Sequence, residues 1–275
     1  MIRIPERRLA PELEGVLGEH QARVNAVIDH ADRVATAQRA WENKSRERFR
    51  PIRAALTEMC SGEDRCMYCE DSGADEIEHV RPKSLYPEQT FVWENYLYAC
   101  GRCNGPKSNS FSVVASKRRE VFTIERKRGE PVLPPEPGSM LLIDPRREDP
   151  LRFLRLELAS PFHFHAIASR GCLARARAAY TIQVLCLNSR DTLLLRRGHA
   201  YGSYVARLKQ YVSEADPEQR GRMAAALLRL DHPTVWREMQ RQHQGIEELR
   251  PLFEQAPEAL AWRREATVPP PAPEA

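Results

Sequence analysis

Long apolar runs are missing from this 275-residue sequence. The longest blocks, such as Met223–Leu228, fall far short of the roughly 18 consecutive apolar residues that a membrane-spanning helix needs. The first nine residues contain three arginines and no apolar segment, so no secretory signal is visible. We therefore expect a cytoplasmic protein without a membrane partner.

A disulfide framework and a phosphate-binding loop are also missing. Seven cysteines cannot all pair with one another, and in a reducing compartment closely spaced cysteines more often bind metal. No Walker motif occurs, so we expect any nucleotide-driven step to belong to a partner protein. With 42% hydrophobic and 29% charged residues, the chain has the composition of a folded protein.

Two Cys-x-x-Cys pairs stand about thirty residues apart. The first pair is Cys66 and Cys69, and the second is Cys100 and Cys103. Two such pairs can hold one Zn²⁺ in a tetrahedron of four thiolates. A closed four-sulfur shell leaves no position for substrate, so we expect this zinc to be structural. The alternative is that the four cysteines are buried core residues or a redox group.

The segment between the pairs and just after them holds three polar motifs: Glu78-His79-Val80-Arg81-Pro82-Lys83, then Trp93-Glu94-Asn95, then Asn104-Gly105-Pro106-Lys107. These residues resemble the zinc-stapled HNH endonucleases, which have a ββα-metal site. The match extends over residues 66–107. It has sixteen positions from His79 to Asn95 and nine from Asn95 to Asn104, close to the spacing of that family.

The same motifs further resemble the HNH proteins that are paired with ATPases in retron and Septu-type antiphage systems. This narrower resemblance rests on the following residues: Tyr68-Cys69-Glu70, Glu78-His79-x-x-Pro82-Lys83 and Cys103-Asn104-x-x-Lys107. It implies a divalent-metal-dependent endonuclease that acts on nucleic acid, which we expect to be DNA. It also implies cleavage to a 5′-phosphate and a 3′-hydroxyl, and restraint by a partner ATPase.

The residue types fit a division of roles. An imidazole has an ordinary pKa of about 6.5, near working pH, so His79 is suited to deprotonating the attacking water. Glu78 and Asn104 offer oxygen ligands, which favour Mg²⁺ or Mn²⁺. Neighbouring side chains of a strand face opposite ways, so we expect a bulge or a strand end to bring Glu78 and His79 into one site. We expect Asn95 to orient His79.

Basic residues near these motifs are candidates for binding nucleic acid. Lys107 would share a helical face with Asn104 and meet a phosphate, and Lys83 and Arg81 are further candidates. We expect Pro106 in the first turn of a helix that begins near Asn104.

The charges along the chain are unevenly distributed. Residues 63–78 contain seven acids and one base, whereas residues 79–128 contain ten bases and four acids. This pattern favours a site that holds cations where a polyanion docks. A solvated surface would give the same pattern.

The remainder of the chain predicts a mainly α protein with a small α+β module. We expect an N-terminal helical region (1–60), the HNH nuclease module with its four-cysteine zinc site (61–128), a mostly helical C-terminal region (129–265) and a disordered proline-rich tail (266–275). Apolar residues recur from Gln21 to Met59 at near-helical intervals, and we expect Pro51 to kink or divide this segment.

A metal-dependent HNH endonuclease is the function that these observations favour. Two alternatives stay open. The first is a non-catalytic four-cysteine zinc module that binds nucleic acid or protein as an adaptor subunit. The second is an interaction subunit whose helices matter more than a degenerate nuclease.

Overall fold

Helices make up most of the described structure, and the described strands form three small sheets. This computed structural model describes residues 1–61, 64–71, 73–115, 121–124, 129–167 and 171–263. The described helices are α1 (Pro11–Asn25), α2 (His30–Glu42), α3 (Arg46–Met59), α4 (Gly101–Lys107), α5 (Cys172–Val184), α6 (Asp191–Ser213), α7 (Pro217–Leu228), α8 (Pro233–Gln242) and α9 (Arg250–Gln255). The described strands are β1 (Glu76–His79), β2 (Tyr96–Ala99), β3 (Phe111–Ala115), β4 (Val121–Ile124), β5 (Gly138–Met140), β6 (Leu154–Leu156) and β7 (Phe164–Ala166). The prediction of a mainly helical protein with a small α+β module is confirmed.

Two sequence predictions fall wholly or partly outside the described residues. The proline-rich tail at 266–275 lies outside them, as does most of the basic segment at 116–128. The predicted domain boundaries stay predictions.

The N-terminal region consists of three helices, where the sequence predicted one long segment kinked or divided at Pro51. The breaks fall elsewhere, because Asp29 and Ser45 cap α2 and α3 by accepting hydrogen bonds from backbone N–H groups three residues on. Pro51 lies within α3 and does not end it. Pro51 therefore does not divide the segment, and a kink at Pro51 stays a prediction. A short corner at Asn43–Ser45 joins α2 to α3.

A two-stranded antiparallel sheet and one short helix form the centre of the molecule. His79 of β1 pairs with Tyr96 of β2, and Glu76 pairs with Ala99. Helix α4 follows β2 directly and begins at Gly101, not near Asn104. Pro106 therefore lies near the end of α4, and its predicted place in the first turn was wrong.

One hydrophobic core runs from the N-terminal helices through this centre to the C-terminal helices. Phe49 and Leu56 of α3, Tyr96 of β2 and Trp236 of α8 all belong to it. Helix α3 packs against β2, and α1 packs against the turn at Pro87–Gln89. The central ββα unit is thus enclosed by helices from both sides of the sequence.

The rest of the chain adds two small sheets and a helical layer. Strand β3 pairs with β4 and β5, and β6 pairs with β7 in a hairpin. Helix α7 is capped by Asp216, which accepts from the backbone N–H of Glu218. Among the described helices, none combines the length and the apolar character needed to cross a bilayer.

Candidate active site

The four cysteines of the two Cys-x-x-Cys pairs meet in one buried cluster. Their sulfur atoms all lie within 4.8 Å of one another. A tetrahedron with Zn–S bonds of about 2.3 Å has edges of about 3.8 Å, and the Cys69 and Cys100 sulfurs are 3.8 Å apart. None of the four cysteines forms a disulfide. The cluster is therefore suited to a structural zinc ion.

An arginine from the C-terminal region lies against the cysteine cluster. Nη2 of Arg190, just before α6, donates to Sγ of Cys103 at 3.5 Å. Hydrogen bonds with the sulfurs of Cys103 and Cys66 lower the pKa of Cys100 to about 7. Four thiolates around Zn²⁺ carry a net negative charge, which a guanidinium stabilises. Arg190 could not be predicted from the sequence, because 87 residues separate it from Cys103.

The end of strand β1 places Glu78 and His79 beside one cavity. This cavity has a volume of about 480 Å³, and its lining includes Glu78, His79 and Asn104. His79 is the last residue of β1, so the strict alternation of side chains ends there. The sequence predicted that a strand end or bulge would be needed, and the structure uses a strand end.

The imidazole of His79 is held in one tautomer. Its Nε2 lies 3.0 Å from the backbone carbonyl oxygen of Thr90, which also accepts from the hydroxyl of Tyr96 at 2.8 Å. A carbonyl oxygen can only accept, so Nε2 carries the hydrogen and the neutral ring keeps its lone pair at Nδ1. The rings of Trp41 and Tyr96 contact it edge-on, at centroid distances of 4.3 Å and 5.3 Å.

Burial changes the pKa that the sequence suggested for His79. The side chain is buried, and this lowers its pKa to about 3, with a further decrease from the positive charge of Lys83. The ordinary imidazole pKa of about 6.5 therefore does not apply to this buried ring. His79 is therefore neutral at physiological pH, which is the form that can accept a proton.

Glu78 and Lys107 form a buried ion pair. Nζ of Lys107 contacts Oε1 of Glu78, and the two side chains are 1% and 4% exposed. The same Nζ donates a hydrogen bond of 2.9 Å to the backbone carbonyl oxygen of His79. Burial raises the pKa of Glu78, and Lys107 opposes that increase. Lys107 thus contacts protein groups, whereas the sequence suggested that it meets a phosphate.

Asn95 forms hydrogen bonds with the backbone of Val80, Arg81 and Gln89. Its side-chain oxygen accepts from the N–H of Arg81 at 2.8 Å. Its amide nitrogen donates to the carbonyl oxygens of Arg81 at 3.0 Å and Gln89 at 2.8 Å. Its own carbonyl oxygen accepts from the N–H of Val80 at 2.9 Å. Asn95 therefore contacts the two residues that follow His79.

Asn104 lies on α4 with its side chain towards β1. Its amide nitrogen donates to Oε2 of Glu76, which leaves the amide oxygen as an acceptor. Glu76 and Glu78 are two residues apart on β1 and both line the cavity. Sequence analysis did not find Glu76, although a carboxylate two residues from Glu78 on a strand shares its face.

The two other predicted basic residues lie in different places. Lys83 is half-buried and lines the cavity. The guanidinium of Arg81 lies over the rings of Tyr86 and Phe111, at 5.0 Å and 5.8 Å from their centroids. The cavity lining does not include Arg81. It does include Trp41, Lys44 and Arg53 of the N-terminal helical region, which sequence analysis did not find.

Comparison with known proteins defines the class of this central unit. Residues 66–110 match the HNH endonuclease family. This match contains the four cysteines, strands β1 and β2, and helix α4. The central part of the chain is therefore an HNH endonuclease domain.

One known protein is similar in sequence to part of this chain. The Septu protein PtuB of Bacillus thuringiensis is 43% identical over 61 residues, which are 20% of this chain and 23% of that protein. The match thus spans about a quarter of the relative's length. No solved structure matches the chain.

Proposed function

We propose that this protein is a divalent-metal-dependent endonuclease that hydrolyses phosphodiester bonds of nucleic acid, with DNA as the expected substrate. One observation carries the proposal. A neutral imidazole with a fixed tautomer lies at the edge of a cavity that also contains the oxygen donors of Glu78 and Asn104. A match of residues 66–110 to the HNH endonuclease family supports it.

In this proposal His79 is the general base. The carbonyl oxygen of Thr90 holds the Nε2–H, so Nδ1 is the atom that accepts the proton of the attacking water. Asn95 and Lys107 act on the backbone around His79 and fix the direction of its ring. These two residues are positioning residues, since their side chains contact the protein backbone.

The oxygen donors beside His79 fit a hard divalent cation. Glu78 lines the cavity, and its Oε1 contacts the ammonium of Lys107. Glu78 and Asn104 would hold Mg²⁺ or Mn²⁺, and Glu76 lies beside them. When bound, such an ion stabilises negative charge on the phosphoryl and leaving oxygens.

The test compares the full chain with its His79→Ala variant at equal zinc content. We expect cleavage of plasmid DNA in the presence of Mg²⁺ or Mn²⁺, and a loss of roughly 10²-fold or more in the variant. His165→Ala is a matched control, because His165 is exposed on β7 and contacts Glu157. Equal cleavage by His79→Ala and wild type would remove the mechanism.

The same proposal includes a partner ATPase and a biological role in antiphage defence. The similarity to a Septu protein PtuB supports a role as the nuclease of an antiphage system in which an ATPase restrains cleavage. Purification of the tagged full chain from its host, followed by identification of any associated ATPase, tests this. An adaptor role would instead be favoured by stable partner binding together with equal activity of wild type and His79→Ala.

A further inference from the structure

The corner between α2 and α3 forms one wall of the cavity that contains His79. The ring of Trp41 lies 4.3 Å from the ring of His79, centroid to centroid. Lys44 also contacts Trp41, with its Nζ 3.9 Å from the centre of the Trp41 ring. That Nζ also donates to the carbonyl oxygen of Trp41 at 2.9 Å. The ammonium group is therefore held in place at the cavity, although Lys44 lies outside the HNH domain.

Three cations share this cavity, and the carboxylates of Glu78 and Glu42 act on one of them, Lys83, from nearby. Lys44, Arg53 and Lys83 all line it. Within the described part of the chain none of the three forms an ion pair, whereas the buried Lys107 is neutralised by Glu78. Cations that form no ion pair, grouped at the edge of a cavity, attract a polyanion.

The arrangement costs free energy when no anion is present. The pKa of Lys44 is lowered to about 8, first by burial and then by the charges of Arg53, Lys83 and Arg46. Burial also lowers the pKa of Lys83. A bound phosphate would relieve this repulsion, because it would place negative charge between the cations.

We propose that Lys44 and Arg53, together with Lys83, bind a phosphate of the substrate backbone, so that the nuclease site is a composite of the HNH domain and the α2–α3 corner. This inference rests on the proposed function, and it identifies residues that bind the substrate backbone at one wall of the cavity. Carboxylates of Asp75, Glu76 and Glu78 line the same cavity and would repel a nucleic acid. The cations from the helical region offset that repulsion and hold the strand beside His79.

The first experiment measures binding without cleavage. The His79→Ala full chain serves as parent, and a fluorescein-labelled DNA duplex and the RNA of the same sequence are titrated at several NaCl concentrations. Adding Lys44→Met should weaken binding roughly three- to tenfold at low salt. It should also reduce the slope of log K against log salt by about 0.9, the value for one lost phosphate contact on duplex DNA.

Two further variants make the result specific. Lys44→Arg keeps the charge over Trp41 and should retain most of the parent's affinity and slope. Lys209→Met removes the same charge from α6, where Lys209 pairs with Glu248 at 2.8 Å, and should bind like the parent. Thermal unfolding checks that each variant is folded, and Lys44→Gln replaces Lys44→Met if the latter is not.

The outcomes separate this inference from the proposed function. If Lys44→Met binds with the parent's affinity and salt slope, the α2–α3 corner is not a phosphate site, even when wild type cleaves and His79→Ala does not. If wild type fails to cleave but the slope changes as expected, the binding wall stands and the nuclease proposal fails. A parent that binds neither nucleic acid overturns the inference. In the cleaving enzyme, Lys44→Met should raise KM with little change in kcat.

Discussion

Lys107 donates a hydrogen bond of 2.9 Å to the backbone carbonyl oxygen of His79 while its charge lies against the carboxylate of Glu78. One buried ammonium group thus connects the proposed base to a proposed metal ligand. The sequence suggested that Lys107 contacts a phosphate, whereas the structure places it in a buried ion pair. The difference leads to the first prediction.

Replacing Lys107 with Met should destabilise the protein strongly. The carboxylate of Glu78 would stay buried without its cation, and breaking one side of a buried pair costs about 3–5 kcal/mol. Urea unfolding measures this free energy. The double variant Glu78→Gln/Lys107→Met should recover much of the loss. A Lys107→Met protein of wild-type stability but weaker nucleic-acid binding would instead support the phosphate contact.

Removing the metal from the cysteine cluster should unfold the central domain. Four thiolates with the spacing of a zinc tetrahedron bind zinc with an apparent free energy of about 10 kcal/mol or more, and that energy contributes to folding. We expect one zinc per chain by elemental analysis, and loss of both zinc and ordered structure in Cys100→Ser. Cys172→Ser is the control, since Cys172 is exposed on α5. Full structure in zinc-free Cys100→Ser would contradict a structural role.

The buried imidazole of His79 should make stability depend on acid pH. Its folded-state pKa is about 3, below the unfolded value of about 6.5. Between these values the unfolded chain binds a proton that the folded chain does not, so the stabilisation is complete above pH about 6.5 and is lost as pH falls towards 3.

The comparison with His79→Gln isolates this effect, because the variant has no group that titrates there. From about pH 7 to about pH 5, the unfolding free energy of wild type should fall by about 2 kcal/mol more than that of the variant. Urea unfolding at both pH values gives the difference. Parallel losses in the two proteins would show that His79 is solvated.

Asn95→Ala should reduce turnover more than substrate binding. The change removes three hydrogen bonds to the backbone of Arg81 and Gln89, and leaving such buried groups unpaired costs about 1–3 kcal/mol. The ring of His79 would then be less well oriented, so kcat should fall while KM stays near its wild-type value. Single-turnover cleavage with Asn188→Ala as control tests this, because the Asn188 side chain also bonds backbone groups, those of Phe164 on β7, but does not line the cavity. A change in KM alone would argue against a positioning role.

Several features of the site followed from short-range patterns in the sequence. The two Cys-x-x-Cys pairs predicted the four-sulfur cluster, because each tight turn presents two sulfurs to one centre. The order of Glu78, His79 and Asn104 predicted one shared site, and all three line one cavity. Their catalytic and metal-binding roles stay predictions until the variants are measured.

Other features depended on contacts between distant parts of the chain. Lys107 has the residue type of a phosphate contact, but packing places it at 1% side-chain exposure against Glu78. Arg190 reaches Cys103 across 87 residues. Lys44 and Arg53 belong to the N-terminal helical region, outside the predicted nuclease module, yet they line the cavity.

By itself, the sequence determined the four-cysteine cluster, the HNH domain and the helical character of the flanks, because each depends on residue types at short spacing. Only the tertiary structure decided which charges are buried, which tautomer His79 adopts and which distant side chains complete the cavity. Burial and hydrogen bonding set pKa values and ion pairing, and both depend on neighbours that only folding brings together.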